Sequence, residues 1–303
     1  MNSLAVFRRL AVVTAVFAYL QIALGGVVRV SGSGLGCPDW PLCHGRPYPP
    51  ADPHAIVEYS HRTIGAITGV LIIATVVGAW LVWRSRRPIV AWVATASLVA
   101  IATEGALGGI VVVQELQPWL VAVHLGLAMI ILGALIATAI LAMGVSPGLA
   151  DAKLRSLTWL AAGATYGLLL TGSTVVASGA DKGCHSFPLC GGGFAQDFTG
   201  VNAFTMLHRG GVLVIGALLV YVLVQAARQT ALRPIAWATL VVFAAQILAG
   251  AAAAISDTGL ANGLHVALAT LLWSGMLSTA LLTLPRADRM PVKAQLRAER
   301  TAV

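Results

Sequence analysis

Residues 61–83 read HRTIGAITGVLIIATVVGAWLVW. After the leading His-Arg pair, no charged side chain interrupts the run from Ile64 to Trp83, which has the length of about 20 residues that one helix needs to cross a bilayer. Residues 208–224 repeat the theme as HRGGVLVIGALLVYVLV. Working outward, further apolar runs stand at about 10–30, 89–113, 120–143, 157–176, 235–255 and 263–284, which with 64–83 and 206–224 makes eight. The whole chain of 303 residues is 58% hydrophobic and 10% charged, with mean hydropathy +0.86, against about 25% charged in ordinary globular domains. An all-α integral membrane protein with eight transmembrane helices is predicted. The chain lacks the alternating ten-residue segments of an outer-membrane barrel. Its first run follows Arg8 and Arg9 as a signal peptide would, but it is long and no small-residue cleavage site closes it, so it is expected to be retained.

The formal charge of +8 does not point to nucleic acid, because the basic residues form no continuous face. They report topology instead. With both termini on one side, that side collects Arg8, Arg9, Arg84, Arg86, Arg87, Lys153, Arg155, Arg228, Arg233, Arg286, Arg289, Lys293, Arg297 and Arg300, or 14 of the 19. Both termini are therefore expected in the cytoplasm. The remainder, Arg29, Arg46, Arg62, Lys182 and Arg209, falls on the outer side and needs a local reason.

The chain reads as an internal duplication. An offset of 147 lays CPDWPLC (37–43) over CHSFPLC (184–190), Ser31-Gly32 over Ser178-Gly179 and His61-Arg62 over His208-Arg209. His124 pairs with His265 at an offset of 141. Two tandem, pseudo-symmetric four-helix bundles are expected, at 1–150 and 151–285, followed by a polar cytoplasmic tail at 286–303. An even number of spans per half keeps both halves in one orientation, unlike the inverted repeats of many transporters.

Four of the seven histidines, His61, His124, His208 and His265, stand at the outer end of the second and fourth helix of their half. Ionisable residues within spans are costly and mark function, and two histidines on facing helices of a bundle suit axial ligation of a haem iron. The alternative is four interfacial histidines bonded to loops. His44, His54 and His185 are expected to be solvated. Cys37–Cys43 and Cys184–Cys190 are expected as disulfides, since both pairs lie in outer loops of an oxidising compartment. A Cys2His zinc site in each half is the competing reading.

One carboxylate breaks the repeat. Glu58 precedes His61 by one helical turn, whereas its counterpart is Thr205. Chemistry in the first half and an electron-carrying or stabilising haem in the second would follow, although Glu58 might instead serve only to cap its helix. Glu104 sits deeper, with no obvious cation, and is expected to be a buried, protonated hydrogen bonder. Arg62 and Arg209 are candidate partners for haem propionates through paired hydrogen bonds. Gly65, Gly69, Gly105 and Gly109 follow the small-x-x-x-small pattern of packing surfaces.

The ordered set of Glu58-Tyr59-Ser60-His61-Arg62, Leu207 to Gly211 as LHRGG, one further histidine per half and CPDWPLC resembles the haem A synthase family, over about residues 10–284. That resemblance implies an oxidoreductase that converts haem O to haem A by oxidising the C8 methyl to a formyl group with water-derived oxygen, for cytochrome c oxidase biogenesis. It further implies His61 and His124 at the substrate haem, His208 and His265 on a haem b, and Glu58 as the catalytic carboxylate. Cys37 with Cys43 would match a disulfide thought to matter for activity. Haem O synthase and a membrane electron acceptor such as a quinone would be its partners. A two-haem cytochrome b and a haem-binding chaperone or transporter are the rival readings. With no mitochondrial-type leader ahead of the first helix, a bacterial plasma membrane is expected.

Overall fold

Pro53, Pro88 and Pro118 each stand at the start of a helix, where a proline has no intrahelical N–H to lose and its fixed φ suits the turn. Asp52 caps the first of these, its side chain accepting from the Ala55 N–H at 2.9 Å. At the other end of the third, Gly144 closes the helix with a left-handed φ of 66°. Asp151 and Thr258 cap two more helices in the same way as Asp52. These signals delimit the elements in a computed structural model that describes residues 3–144, 151–180, 187–190, 200, 202–256 and 258–284.

Among the described residues there are eight helices and no named strand: α1 Ser3–Val30, α2 Pro53–Trp83, α3 Pro88–Val113, α4 Pro118–Met143, α5 Ala152–Ala177, α6 Asn202–Ala227, α7 Arg233–Ser256 and α8 Gly259–Leu282. All eight are long and apolar enough to cross a membrane. Their outward faces remain apolar: Leu81 is 78% and Leu213 76% exposed. Lipid, not water, is the solvent that such faces suit, and helices are the form in which backbone groups can enter it. The eight sequence runs coincide with these helices, but α2 starts at Pro53 rather than Ile64. At 31 residues it is about 46 Å long, well over the roughly 30 Å of a hydrocarbon core, so its first turns rise toward the outer surface. They carry Glu58 and His61.

In the first half α1 packs against α2 and α4, and α3 against both α2 and α4; in the second, α5 packs against α6 and α8, and α7 against both α6 and α8. One apolar core gathers Phe7, Ile72, Met129, Leu132 and Leu135, a second Leu219, Leu223, Phe243 and Met276. The halves meet where α4 and α1 contact α8 and α4 contacts α5. Along that seam Trp273 inserts from α8 into the first core, its ring 5.8 Å from that of Tyr166, whose hydroxyl donates to the Gly126 carbonyl at 3.0 Å. At one end of the bundle Arg8 Nε and Arg87 Nη1 donate to the Ala142 and Leu141 carbonyls at 2.8 and 3.0 Å. Cations there satisfy the last carbonyls of α4 and suit its negative dipole end.

The seam depends on Gly133. A Cβ there would stand 2.6 Å from the Trp273 ring, which has no flexible end to move aside. Gly133→Ala is therefore expected to destabilise the protein by about 1–3 kcal/mol, as overpacking does, read as a lower unfolding midpoint in detergent. Gly69→Ala, with open space around its Cβ, is the control.

Candidate functional site

The chain leaving α1 turns at Gly32 (φ 66°) and crosses the first turn of α2 at Gly36, where a side chain would collide with the His54 and Ala55 backbone. Beyond it lies the Cys37–Cys43 disulfide, with Cα atoms 4.6 Å apart. The expected pairing is thus present, and it takes up the thiolates that a zinc site would need. Cys184 and His185 lie outside the described residues, so the second pairing does too. Cys190 is buried.

This loop is fastened to α2 by two side chains. Glu58, 3% exposed, accepts the Cys37 N–H on Oε2 at 2.9 Å and pairs through Oε1 with Arg62 Nη2. Arg62 also donates to the Cys37, Asp39 and Leu42 carbonyls, each at 2.7 Å. Glu58 does not cap α2, since Asp52 does. Both terminal nitrogens of Arg62 are thereby committed, so any propionate it meets must share them with the loop. Arg209 stands similarly toward the second loop: Nη1 donates to the Pro188 carbonyl at 3.1 Å and the guanidinium lies 6.0 Å over the Phe187 ring. Thr205, at the place equivalent to Glu58, is buried and donates to the Ala180 carbonyl at 3.4 Å.

Within the loop Asp39 accepts the His44 and Gly45 N–H groups at 2.6 and 2.7 Å, which turns the chain through positive φ at both residues. The Gly45 N–H above all, helped by that of His44, holds the Asp39 carboxyl below its usual range. His44 Nε2 lies 2.9 Å from the Gly36 carbonyl, and His54 Nδ1 3.0 Å from Ser33 Oγ. Both are exposed, as expected, and each also makes a hydrogen bond with the loop.

The four span histidines share one packing arrangement. Each ring lies across a glycine of the preceding helix: a Cβ at Gly25, Gly108, Gly172 or Gly250 would stand 3.2, 3.3, 3.0 or 2.8 Å from Cε1 of His61, His124, His208 or His265. A polar side chain on that same helix meets the ring. Gln21 Nε2 lies 3.2 Å from His61 Nε2, Glu104 Oε1 3.0 Å from His124 Nδ1, Thr171 Oγ1 2.9 Å from His208 Nδ1, and Gln246 Nε2 3.0 Å from His265 Nδ1. Glu104, read from sequence as lacking a partner, has His124. Of the four expected packing glycines, Gly65 makes room for Gln21 of α1 at 3.1 Å and Gly109 for Trp40 of the loop at 3.0 Å, while Gly69 and Gly105 face open space. A signal for the glycines at the rings was present, because Gly25 and Gly172 share the offset of 147.

All four histidines, with Glu58, Glu104, Arg62 and Arg209, line one cavity of about 2210 Å³. Pockets for drug-sized ligands hold roughly 300–1,000 Å³, so this volume admits more than one large ligand. His61 and His124 are near enough for their charges to interact, as are His208 and His265. Two imidazoles per half thus border the cavity, and imidazole is a side chain that can ligate a metal.

Two outcomes follow for the loop. Removing the cation beside a buried carboxylate is costly, so Arg62→Gln is expected to lower stability by about 3 kcal/mol and to open the 37–43 loop to protease. Asp39 is lowered in the folded state, so its contribution is present above the ordinary carboxyl value of about 3.9 and is lost as pH falls through its folded value. Amide exchange at His44 and Gly45 should therefore quicken on acidification, and Asp39→Asn should flatten that response.

Comparison with known families matches residues 8–277 to COX15-CtaA, described as cytochrome oxidase assembly protein. Among curated proteins the chain is similar to heme A synthase of Symbiobacterium thermophilum, 31% identical over 291 residues that cover 88% of this chain and 92% of that protein. It is also similar to heme A synthase of Alkalihalophilus pseudofirmus, 28% identical with 88% and 93% covered, and of Shouchella clausii, 30% identical with 70% and 73% covered. Since the matched segment opens in α1, closes in α8 and contains every histidine and carboxylate of the cavity, this chain belongs to the COX15-CtaA family of cytochrome oxidase assembly proteins.

Proposed function

We propose that the chain is a haem A synthase, an oxidoreductase that turns the C8 methyl of haem O into a formyl group with oxygen from water. The observation that carries this is Glu58: a buried carboxylate on the cavity wall, one turn from His61, held by Cys37 N–H and Arg62, where the other half has Thr205. In this reading residues 1–150 are the bundle that binds substrate, and His61 and His124 are the side chains that would hold it. Residues 151–285 are a duplicate that binds haem b through His208 and His265, and 286–303 form a cytoplasmic tail outside the described residues. Both termini are cytoplasmic, consistent with Arg8 and Arg87 gathered at one end of α4.

The residues fit such groups. Each ring has a glycine where a Cβ would displace it, and Nδ1 of both His61 and His124 lacks a hydrogen-bond partner. Bound haem b supplies one-electron redox chemistry. The reaction balances as R–CH3 + H2O → R–CHO + 4H⁺ + 4e⁻, with membrane quinones as the class of acceptor. Glu58 is fixed by two donors and charge-balanced by Arg62, so its remaining lone pairs can orient water from the cavity and accept a proton from it. Arg209, and Arg62 by sharing its nitrogens with the loop, meet propionates. The apolar exterior suits substrate handed over in the membrane by a haem O synthase, upstream of cytochrome c oxidase assembly.

Pigment extracted from membranes that express the chain with a source of haem O tests the reading. Haem A is expected with the wild type. In Glu58→Gln its yield should drop by about 10²-fold or more, while the haem content of the purified protein is unchanged. A fully active variant would remove Glu58 from the mechanism, and haem b at two equivalents with no haem A would favour an electron-carrying cytochrome.

A further inference from the structure

The two halves differ at a second carboxylate. Glu104 and Gly108 lie one turn apart on α3 and both meet the His124 ring; Gln246 and Gly250 lie one turn apart on α7 and both meet that of His265. The arrangement is the same, with a carboxylate exchanged for an amide. Glu104 is 7% exposed, and no cation approaches Oε1 other than His124. Its Oε2 has no hydrogen-bond partner, nor has His124 Nδ1, although Oε1 stands 3.0 Å from that nitrogen. Across the repeat, Gln246 Oε1 is likewise unpartnered, and exchanging the amide ends offers a neutral acceptor to His265.

Building on the proposed haem sites, we infer that Glu104 is the positioning residue for His124: it takes the Nδ1–H, turns Nε2 to the cavity and makes His124 a stronger donor than its counterpart, His265. A ligating histidine commonly gives its other N–H to a carboxylate, which fixes the tautomer and raises ligand basicity. A carboxyl group keeps an acceptor oxygen for that N–H, whereas an amide must be turned to present one. The more basic ligand favours the oxidised metal, so Glu104 holds the potential of the first-half haem below the value that the same haem would have without it. Glu58 and Glu104 then divide the work: the former faces the reacting water, while the latter acts only through a ring.

The test is a redox titration of the full-length chain, purified from membranes of cells that make haem O and followed by visible and electron paramagnetic resonance spectra. His124→Ala identifies the first-half signal by its loss. Glu104→Gln is expected to shift the potential of that haem upward and to change its low-spin spectrum, with the second haem unmoved. Gln246→Glu, which places the carboxylate in the other half, is expected to lower the second potential and leave the first; it decides the matter should Glu104→Gln fold poorly. Unchanged potential and spectrum of the affected haem in both variants overturn the inference and leave the haem sites standing. A wild-type protein in which His124→Ala removes no haem signal overturns both.

Discussion

An imidazole carried on one membrane helix needs room on the helix beside it, and here that room is always a glycine. Gly25, Gly108, Gly172 and Gly250 bring the backbones of α1, α3, α5 and α7 close enough for the rings of α2, α4, α6 and α8 to lie flat across them. Close packing leaves little slack for even one added methyl, so ring orientation is set by backbone rather than by flexible neighbours. The cavity follows from this arrangement. With the rings held against the odd-numbered helices, the space that they border stays open and apolar.

Above that layer a different interaction governs. Glu58 and Arg62, an ion pair one turn apart on α2, reach up to the disulfide loop and hold it by N–H and carbonyl groups. A carboxylate at 3% exposure is tolerable because its charge has a cation and an N–H partner. The same contacts fix both the loop and the carboxylate, so the disulfide loop and the Glu58 end of the cavity form one unit. In the second half Thr205 stands at the equivalent place, buried and donating to the Ala180 carbonyl, and brings no charge that needs a cation.

The eight spans were legible because lipid leaves long apolar helices as almost the only solution. The four histidines, Glu58 and the Cys37–Cys43 pairing were legible from their ordered spacing. What escaped depended on contacts between helices. The start of α2 lies at Asp52-Pro53, beyond the apolar run, since capping rather than hydropathy decides it. His124 as the partner of Glu104 requires knowing how α3 and α4 rotate about their axes. Of two glycines in one stretch, Gly105 and Gly108, only the second faces the ring, and periodicity alone does not say which face that is. The hydrogen bonds of the exposed His44 and His54 were not legible, because a loop of 20 or so residues between α1 and α2 seldom announces its own contacts.

The fastening of the outer loop has a further consequence. Glu58 and Arg62 touch Cys37, Asp39 and Leu42 only through main-chain atoms. What they recognise is the path of the chain, not the identity of its side chains. Positions such as Pro38 and Leu42 are therefore free to drift in composition so long as the turn persists, whereas Asp39, which shapes the turn, and Trp40, which lies against Gly109, are not. The loop can diversify its outward face toward different partners while the carboxylate beneath it experiences an unchanged environment.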